Sequence, residues 1–350
     1  MIVMWLGFAL AAYSVVGNDV IQTLGTFLTS NEERVKWWVL WAFAGTILAF
    51  TLVNGFYNPF GLETLSSYDL PIAYGRLDKF DMSEFSYEWF YLLPPIVLLL
   101  LTRTGVPVST TFMILTLFSL ADIPADLGAM TASVFDQDTK LGGMVIKSFY
   151  GYLIAFGGAL AIYLIITKLS ERYFINNPLQ ESRRPAWIVA QWCTTGFLWY
   201  QWLTQDLANI YIYLKGGAGL SDLGFWVSVL VLVGLLGYIF YIKGGAVQDI
   251  VRKKTNTADI RSATFIDAIY AFLLYFFKED LFGLWGGKIP MSTTWLFVGL
   301  LAGRELGMRI MLEGRIQGKV AKMLGSDLLK IVLGLVVSVI LVFIIRLLVG

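Results

Sequence analysis

Long unbroken apolar runs decide what this chain can fold into. Pro95–Leu101, Tyr150–Thr167, Phe225–Ile242 and Ile331–Gly350 approach or reach the ~20 residues that carry a helix across a hydrocarbon core. They are continuous rather than alternating, which excludes a transmembrane β-barrel. Hydrophobic residues make up 57% of the 350 and charged residues 15%, with mean hydropathy +0.69. A soluble domain carries about 45–50% apolar and about 25% charged residues. The sequence therefore predicts an all-α integral membrane protein with several spans.

Composition also removes whole classes of chemistry. There is no histidine, so Ser–His and Cys–His nucleophile pairs, histidine metal sites and histidine proton relays are absent. Cys193 is the only cysteine, so no internal disulfide and no thiolate metal cage can form; it is expected as a small buried helix residue. A net charge of +1 gives no field that would gather nucleic acid. The chain is apolar from Met1, with no basic region and no cleavage site, and this stretch reads as a first membrane segment rather than a removable signal.

Apolar segments fall near 1–29, 37–57, 88–120, 143–167, 187–214, 225–243, 264–312 and 328–349. Segments 88–120 and 264–312 are too long for one crossing. Gly105-Val106-Pro107 and Gly286-Gly287-Lys288-Ile289-Pro290 interrupt them, because glycine and proline break a helix and proline suits the first turn of the next. Segments 1–29 and 187–214 carry polar clusters in their middles and read as interrupted too.

Those polar clusters repeat. Gly17-Asn18-Asp19-Val20-Ile21-Gln22 is followed by Pro107-Val108-Ser109-Thr110-Thr111, and Gln205-Asp206-Leu207-Ala208-Asn209 by Pro290-Met291-Ser292-Thr293-Thr294. Asp19 precedes Ser109 by 90 residues and Asp206 precedes Ser292 by 86. The expected architecture is two inverted-topology repeats with broken helices or re-entrant hairpins, about 10–12 membrane segments in all. Residues 1–170 form the first membrane repeat, 171–186 a cytoplasmic connection, and 187–350 the second repeat, inverted.

Charge bias sets the orientation. Loops 30–36, 168–186, 243–263 and 304–327 hold sixteen Lys and Arg, and loops 58–87, 121–142 and 215–224 hold four. Basic residues stay on the cytoplasmic side, which puts both termini outside and 168–186 inside. The two halves then begin on opposite sides, as inverted repeats do.

A carboxylate at the bilayer centre costs roughly 2.5–3.5 kcal/mol on insertion scales, so Asp19 and Asp206 point to a polar cavity or a bound cation. On a helix, Gln22 lies on the face of Asp19 and Asn209 on that of Asp206, three residues on, while Asn18 and Gln205 add a carbonyl each. Carboxylate and carboxamide oxygens make a hard shell that suits Na⁺. Ser109, Thr110, Thr111, Ser292, Thr293 and Thr294 follow prolines and are expected in the first turn of half-helices, where free N–H groups and the helix dipole favour an anion.

With these motifs the chain resembles the inorganic phosphate transporter (PiT) family. That family has two inverted repeats, each with a Gly-Ala-Asn-Asp-Val-Ala-Asn-Ala signature and a Pro-Val-Ser-Thr-Thr-His motif. Asn18-Asp19-Val20 with Gly25-Thr26 matches the first signature, and Asp206 with Ala208-Asn209 the second; Pro107–Thr111 matches in full and Pro290–Thr294 differs at Met291. Gln22 and Gln205 replace family asparagines, and Phe112 and Trp295 stand where the family has histidine. The resemblance implies a secondary transporter for inorganic phosphate, coupled to Na⁺ or H⁺ and most readily to Na⁺. It further implies a homodimer in a bacterial-type plasma membrane, with no prosthetic cofactor. Phosphate would be held by Ser109, Thr110, Thr111, Ser292, Thr293 and Thr294, and Na⁺ by Asn18, Asp19, Gln22, Gln205, Asp206 and Asn209.

A sulfate permease of the same fold is the nearest alternative. Phosphate can donate a hydrogen bond to a carboxylate whereas sulfate only accepts, so the retained Asp19 and Asp206 favour phosphate. An intramembrane lipid-modifying transferase would need paired aspartates for Mg²⁺, and no such pair stands at a membrane edge. Arg103, four residues before Pro107, reads either as an anion contact or as a snorkelling helix-end residue. Lys278-Glu279-Asp280 and Arg304-Glu305 read as solvated or self-paired groups at membrane edges.

Overall fold

The computed structural model describes residues 2–59, 77, 86–166, 172–215, 220–243, 259–283, 291–313 and 318–349. Pro290, Lys288 and most of the 58–87 and 243–263 loops lie outside these residues. The described chain is helical throughout: α1 (Ile2–Asn31), α2 (Trp37–Tyr57), a 3-10 turn (Trp89–Leu92) leading into α3 (Leu93–Arg103), α4 (Thr110–Leu115), a second 3-10 stretch (Leu117–Asp122), α5 (Leu127–Ser133), α6 (Lys140–Ile166), α7 (Arg172–Asn176), α8 (Arg184–Asp206), α9 (Ala208–Tyr211), a third 3-10 turn (Ile212–Leu214), α10 (Asp222–Tyr241), α11 (Ile260–Glu279), α12 (Thr293–Glu313) and α13 (Gly318–Val349).

Local chemistry sets the boundaries. Pro94 and Pro95 open α3, where no N–H is needed. Ser221 caps α10 by accepting from Gly224 N at 3.2 Å, and Asp126 caps α5 by accepting from Ala129 N at 2.9 Å. Asn58 ends α2 in the left-handed region, φ 47°, with its N–H on Asn54 O at 2.9 Å.

Six described helices are long and apolar enough to cross a membrane: α1, α2, α6, α10, α11 and Lys322–Val349 of α13. Their outer faces are undisguised, with Ile165 62%, Leu230 72% and Leu333 47% exposed, as lipid-facing side chains are. This is an all-α, multi-pass integral membrane protein. α8 and α12 are equally long but more polar, and both contribute to the interior site.

Two expectations about broken helices change. α1 runs unbroken for 30 residues through Asn18 and Asp19, because no proline interrupts it and the side chains of these two residues find partners at Val108 O and Thr110 Oγ1, outside the helix. α8, by contrast, tightens after Asp206, where Ile210 N reaches back only three residues to Leu207 O at 3.0 Å. The two Ser-Thr-Thr helices also differ: α4 has six residues, while α12 has 21 and is no half-helix.

The tightest packing joins α6 and α12. Gly299, Gly303 and Gly307 recur every fourth residue along α12 and meet α6 at Tyr152–Ala155, Phe156–Leu160 and Leu160–Leu164 in turn, so the two helices run parallel. A Cβ added to Gly299 would lie 2.6 Å from Tyr152 O; one at Gly303 would lie 2.8 Å from Leu160 N and closer still to Phe156 O. Small residues at such spacing let membrane helices approach backbone to backbone.

Loop contacts sort the ends of the helices. Arg34 pairs with Glu181 at 3.1 Å, and Arg261 donates to Asn177 O and Phe174 O at 3.1 Å, so loop 30–36 and the start of α11 meet the 171–186 connection. At the other end, Lys140 pairs with Asp122 at 2.6 Å, Arg346 Nε donates to Ile123 O at 2.8 Å and Tyr57 OH to Asp222 at 3.2 Å.

Candidate functional site

The two Asp motifs and the two Ser-Thr-Thr motifs meet at one place in the interior. On α1, Asn18 and Asp19 are fully buried and Gln22 nearly so; on α8 and α9, Gln205, Asp206 and Asn209 are equally enclosed. Ser109 caps α4, accepting from Phe112 N at 3.3 Å, so the serine precedes the first turn and Thr110 and Thr111 occupy it. Ser292 takes the same place before α12, with Leu296 N on its carbonyl at 3.0 Å. The two serine hydroxyls touch, Ser292 Oγ to Ser109 Oγ at 3.0 Å.

Each carboxylate accepts from three neutral donors. Asp19 takes Asn18 Nδ2 at 2.6 Å, Thr110 Oγ1 at 2.8 Å and Trp202 Nε1 at 3.3 Å. Asp206 takes Thr111 Oγ1 at 3.1 Å, Gln205 Nε2 at 3.2 Å and Asn209 Nδ2 at 3.3 Å. Hydroxyls from the first half thus serve the carboxylates of both halves. Asn209 Nδ2 also bonds to Thr110 Oγ1 at 3.0 Å and Thr111 Oγ1 at 3.1 Å.

The carboxamide before each Asp makes the same brace in both halves. Asn18 Nδ2 donates to Val108 O at 2.8 Å, and Gln205 Nε2 to Met291 O at 2.7 Å. Val108 and Met291 are the residues just before the two serines. The extra methylene of Gln205 is absorbed without changing the bond. Thr294 Oγ1 adds a cross-half tie to Val108 O at 2.9 Å, and Tyr270 OH fixes Thr293 O at 2.9 Å.

Three buried polar atoms here have no hydrogen-bond partner: Gln22 Oε1, Gln22 Nε2 and Asn209 Oδ1. Gln22 and Asn209 stand three residues after their respective aspartates, so two matched carbonyl oxygens are left open beside two carboxylates. An orphaned buried polar group costs about 1–3 kcal/mol. The donor set at these positions is oxygen only, which fits a small hard cation. Gln22 itself does not hydrogen-bond to Asp19.

A solved structure entitled "The sodium-dependent phosphate transporter" matches 99% of this chain and 98% of its own, with TM-score 0.56 and 15% identity. This chain has that fold. No protein-family model matches the sequence, and no curated protein does either.

Several neighbours of the site escaped the sequence reading. Trp202 is one turn before Asp206, yet it donates to Asp19; Thr102 Oγ1 donates to Asn18 Oδ1 at 3.3 Å. A polar stripe continues along α1 from Asp19 through Thr26 to Ser30 and Asn31. There Thr26 and Thr195 both donate to the buried Asp267 of α11, the latter at 2.5 Å, and Gln191 accepts from Asn31 at 2.8 Å. Nothing periodic marked these single residues. Lys278 is a correction in part: it is fully buried, not solvated, with Nζ on Thr204 Oγ1 at 2.9 Å and 5.8 Å from the Tyr200 ring, and it is self-paired as expected, with the adjacent Glu279 at 3.9 Å. Arg304 is likewise buried rather than at an edge, whereas Arg103 is exposed at the end of α3 and Cys193 is exposed on α8.

Proposed function

We propose that this protein is a secondary transporter that carries inorganic phosphate across a membrane with Na⁺. The observation that carries the reading is the pairing of two buried carboxylates, each with an open carboxamide oxygen or side chain three residues on, with serine hydroxyls joined at 3.0 Å. Na⁺ at Asn18, Asp19, Gln22, Gln205, Asp206 and Asn209 satisfies the open oxygens and neutralises the carboxylates. Phosphate at Ser109, Thr110, Thr111, Ser292, Thr293 and Thr294 receives hydroxyl and backbone N–H donors at two helix starts. The bound cations offset the repulsion between anion and carboxylates, so each ligand raises the affinity for the other. The chain acts as a carrier rather than an enzyme, as the fold's transporter likeness supports, and works as a homodimer.

Uptake of labelled phosphate and sulfate into proteoliposomes, with and without a Na⁺ gradient, tests this. Phosphate uptake driven by the gradient is the expected result; sulfate uptake in its place would assign the other anion, and no uptake of either would overturn the reading.

The basic bias further orients residues 1–170 and 187–350 as inverted repeats in a plasma membrane, with both termini and loops 58–87 and 121–142 extracytoplasmic and 171–186 inside. In a Cys193→Ser background, an impermeant thiol reagent added to cells should label Phe135→Cys, at a residue 77% exposed, and spare Glu181→Cys, whose side chain is 70% exposed. The reverse pattern would invert the topology.

A further inference from the structure

Arg304 is a buried guanidinium with no counter-charge among the described residues. It is 2% exposed, and its Nε has no hydrogen-bond partner. Its one described contact is the face of Tyr163, 5.6 Å from the ring centroid. The adjacent Glu305 does not neutralise it, because that carboxylate pairs with Arg309 at 2.9 Å. A charge at membrane depth is expensive, and such residues face interior cavities and pair with something. Among the described residues no carboxylate lies within ion-pair reach of Arg304.

Its place on α12 says what that something is. Arg304 follows Thr293 by eleven residues, which brings it to within about 20° of the same helix face and about 16 Å further along the axis. α12 starts at the Ser109–Ser292 contact and runs parallel to α6, whose last residue, Ile166, lies shortly before α7 at the end where Arg34 and Arg261 meet the 171–186 connection. Phe297 and Leu300, both buried, lie on the same helix face between Thr293 and Arg304. The guanidinium also faces helices rather than lipid, since it is covered in the bare chain whereas Ile165 of α6 is 62% exposed.

We propose that Arg304 is a second oxyanion station, resting on the transport reading: the anion leaves the serine–threonine site past Phe297 and Leu300 and is received by the Arg304 fork on its way to the basic end. A planar guanidinium binds phosphate through two parallel hydrogen bonds, which a point charge cannot do. The station takes a free oxyanion from inside the protein; a lipid phosphate is the other source of the same chemistry, and its headgroup would have to reach a side chain the helices cover.

The test separates binding from turnover. Wild-type protein, Arg304→Met and Arg304→Lys are purified and compared for equilibrium binding of inorganic phosphate in Na⁺ and for uptake in proteoliposomes of neutral lipid and of neutral plus anionic lipid. The expected result for Arg304→Met is phosphate binding within about twofold of wild type but turnover at least about tenfold lower, in both lipid mixtures; Arg304→Lys recovers part of the turnover. Turnover of Arg304→Met within about twofold of wild type overturns the station. So does a turnover defect that appears only with anionic lipid, which assigns the arginine to a headgroup. A loss of binding and melting temperature in both variants overturns it too, by assigning a structural role. If the wild-type protein takes up neither phosphate nor sulfate, the transport reading itself falls and the station with it.

Discussion

Asp19→Asn and Asp206→Asn should each raise the Na⁺ concentration for half-maximal phosphate uptake by at least about a hundredfold while leaving protein abundance near wild type. A unit charge 4 Å from a cation is worth about 4 kcal/mol at an effective dielectric of 20, close to three powers of ten in affinity, and water reaching the partly buried Thr111 and Ser292 side reduces that. Asparagine keeps the volume and one acceptor oxygen, so Asn18 at Asp19 and Gln205 at Asp206 keep an acceptor, while the hydroxyls of Thr110 and Thr111, which donate to the other carboxylate oxygen, can turn to accept from the new NH2. The fold therefore survives a change that removes the charge. Asn209→Leu, which deletes the open Oδ1 and the Nδ2 bonds to Thr110 and Thr111, should act in the same direction. If the Na⁺ response of both Asp→Asn variants overlays that of the wild type, the cation assignment is wrong.

The second large effect lies away from the site. Gly303→Ala should destabilise the protein by about 1–3 kcal/mol, and Gly303→Leu should force α6 and α12 apart. The reason is that the added Cβ meets backbone of Phe156 and Leu160, which cannot move as a flexible side chain would. Because α12 carries Thr293 and Thr294 at its start, the leucine variant should lose phosphate binding along with its melting temperature. Gly157→Ala on the opposite partner helix is the control, since a Cβ there meets nothing within 4 Å. Thermal melting of the detergent-purified protein decides it: a Gly303→Ala midpoint equal to that of Gly157→Ala would remove the close-approach argument.

The site was legible in the sequence where it was duplicated, and illegible where it was not. Asp19 and Asp206, with their amides and the two Ser-Thr-Thr runs, stand out because a rare pattern in apolar sequence occurs twice at nearly equal spacing. Trp202 could not be found that way: it is one of twelve tryptophans, and the carboxylate it serves belongs to the other half. Asp267 and the Lys278-Glu279-Asp280 run each lack a counterpart in the other half, so nothing in the sequence marks Asp267 or Lys278 as a core residue rather than one at a membrane edge. Arg304 was misplaced because the neighbouring Glu305 offers an obvious partner, and in three dimensions that partner turns to Arg309. Helix continuity was misjudged for a related reason. Polar residues in the middle of 1–29 suggested a break, yet α1 stays intact because tertiary partners on α3, α4 and α8 take up its side chains.

The hydrogen bonds at the centre do not respect the division of the chain into halves. Thr111 of residues 1–170 serves Asp206 of residues 187–350, Asn209 reaches back to Thr110, Thr294 holds Val108, and the serines touch across the divide. A chain severed in the 171–186 connection would thus leave two pieces, each with one carboxylate and one hydroxyl run, and neither with a finished ligand shell. Activity in such a split protein would belong to the reassembled pair alone, and a lesion in one piece would be repaired only by an intact copy of that same piece.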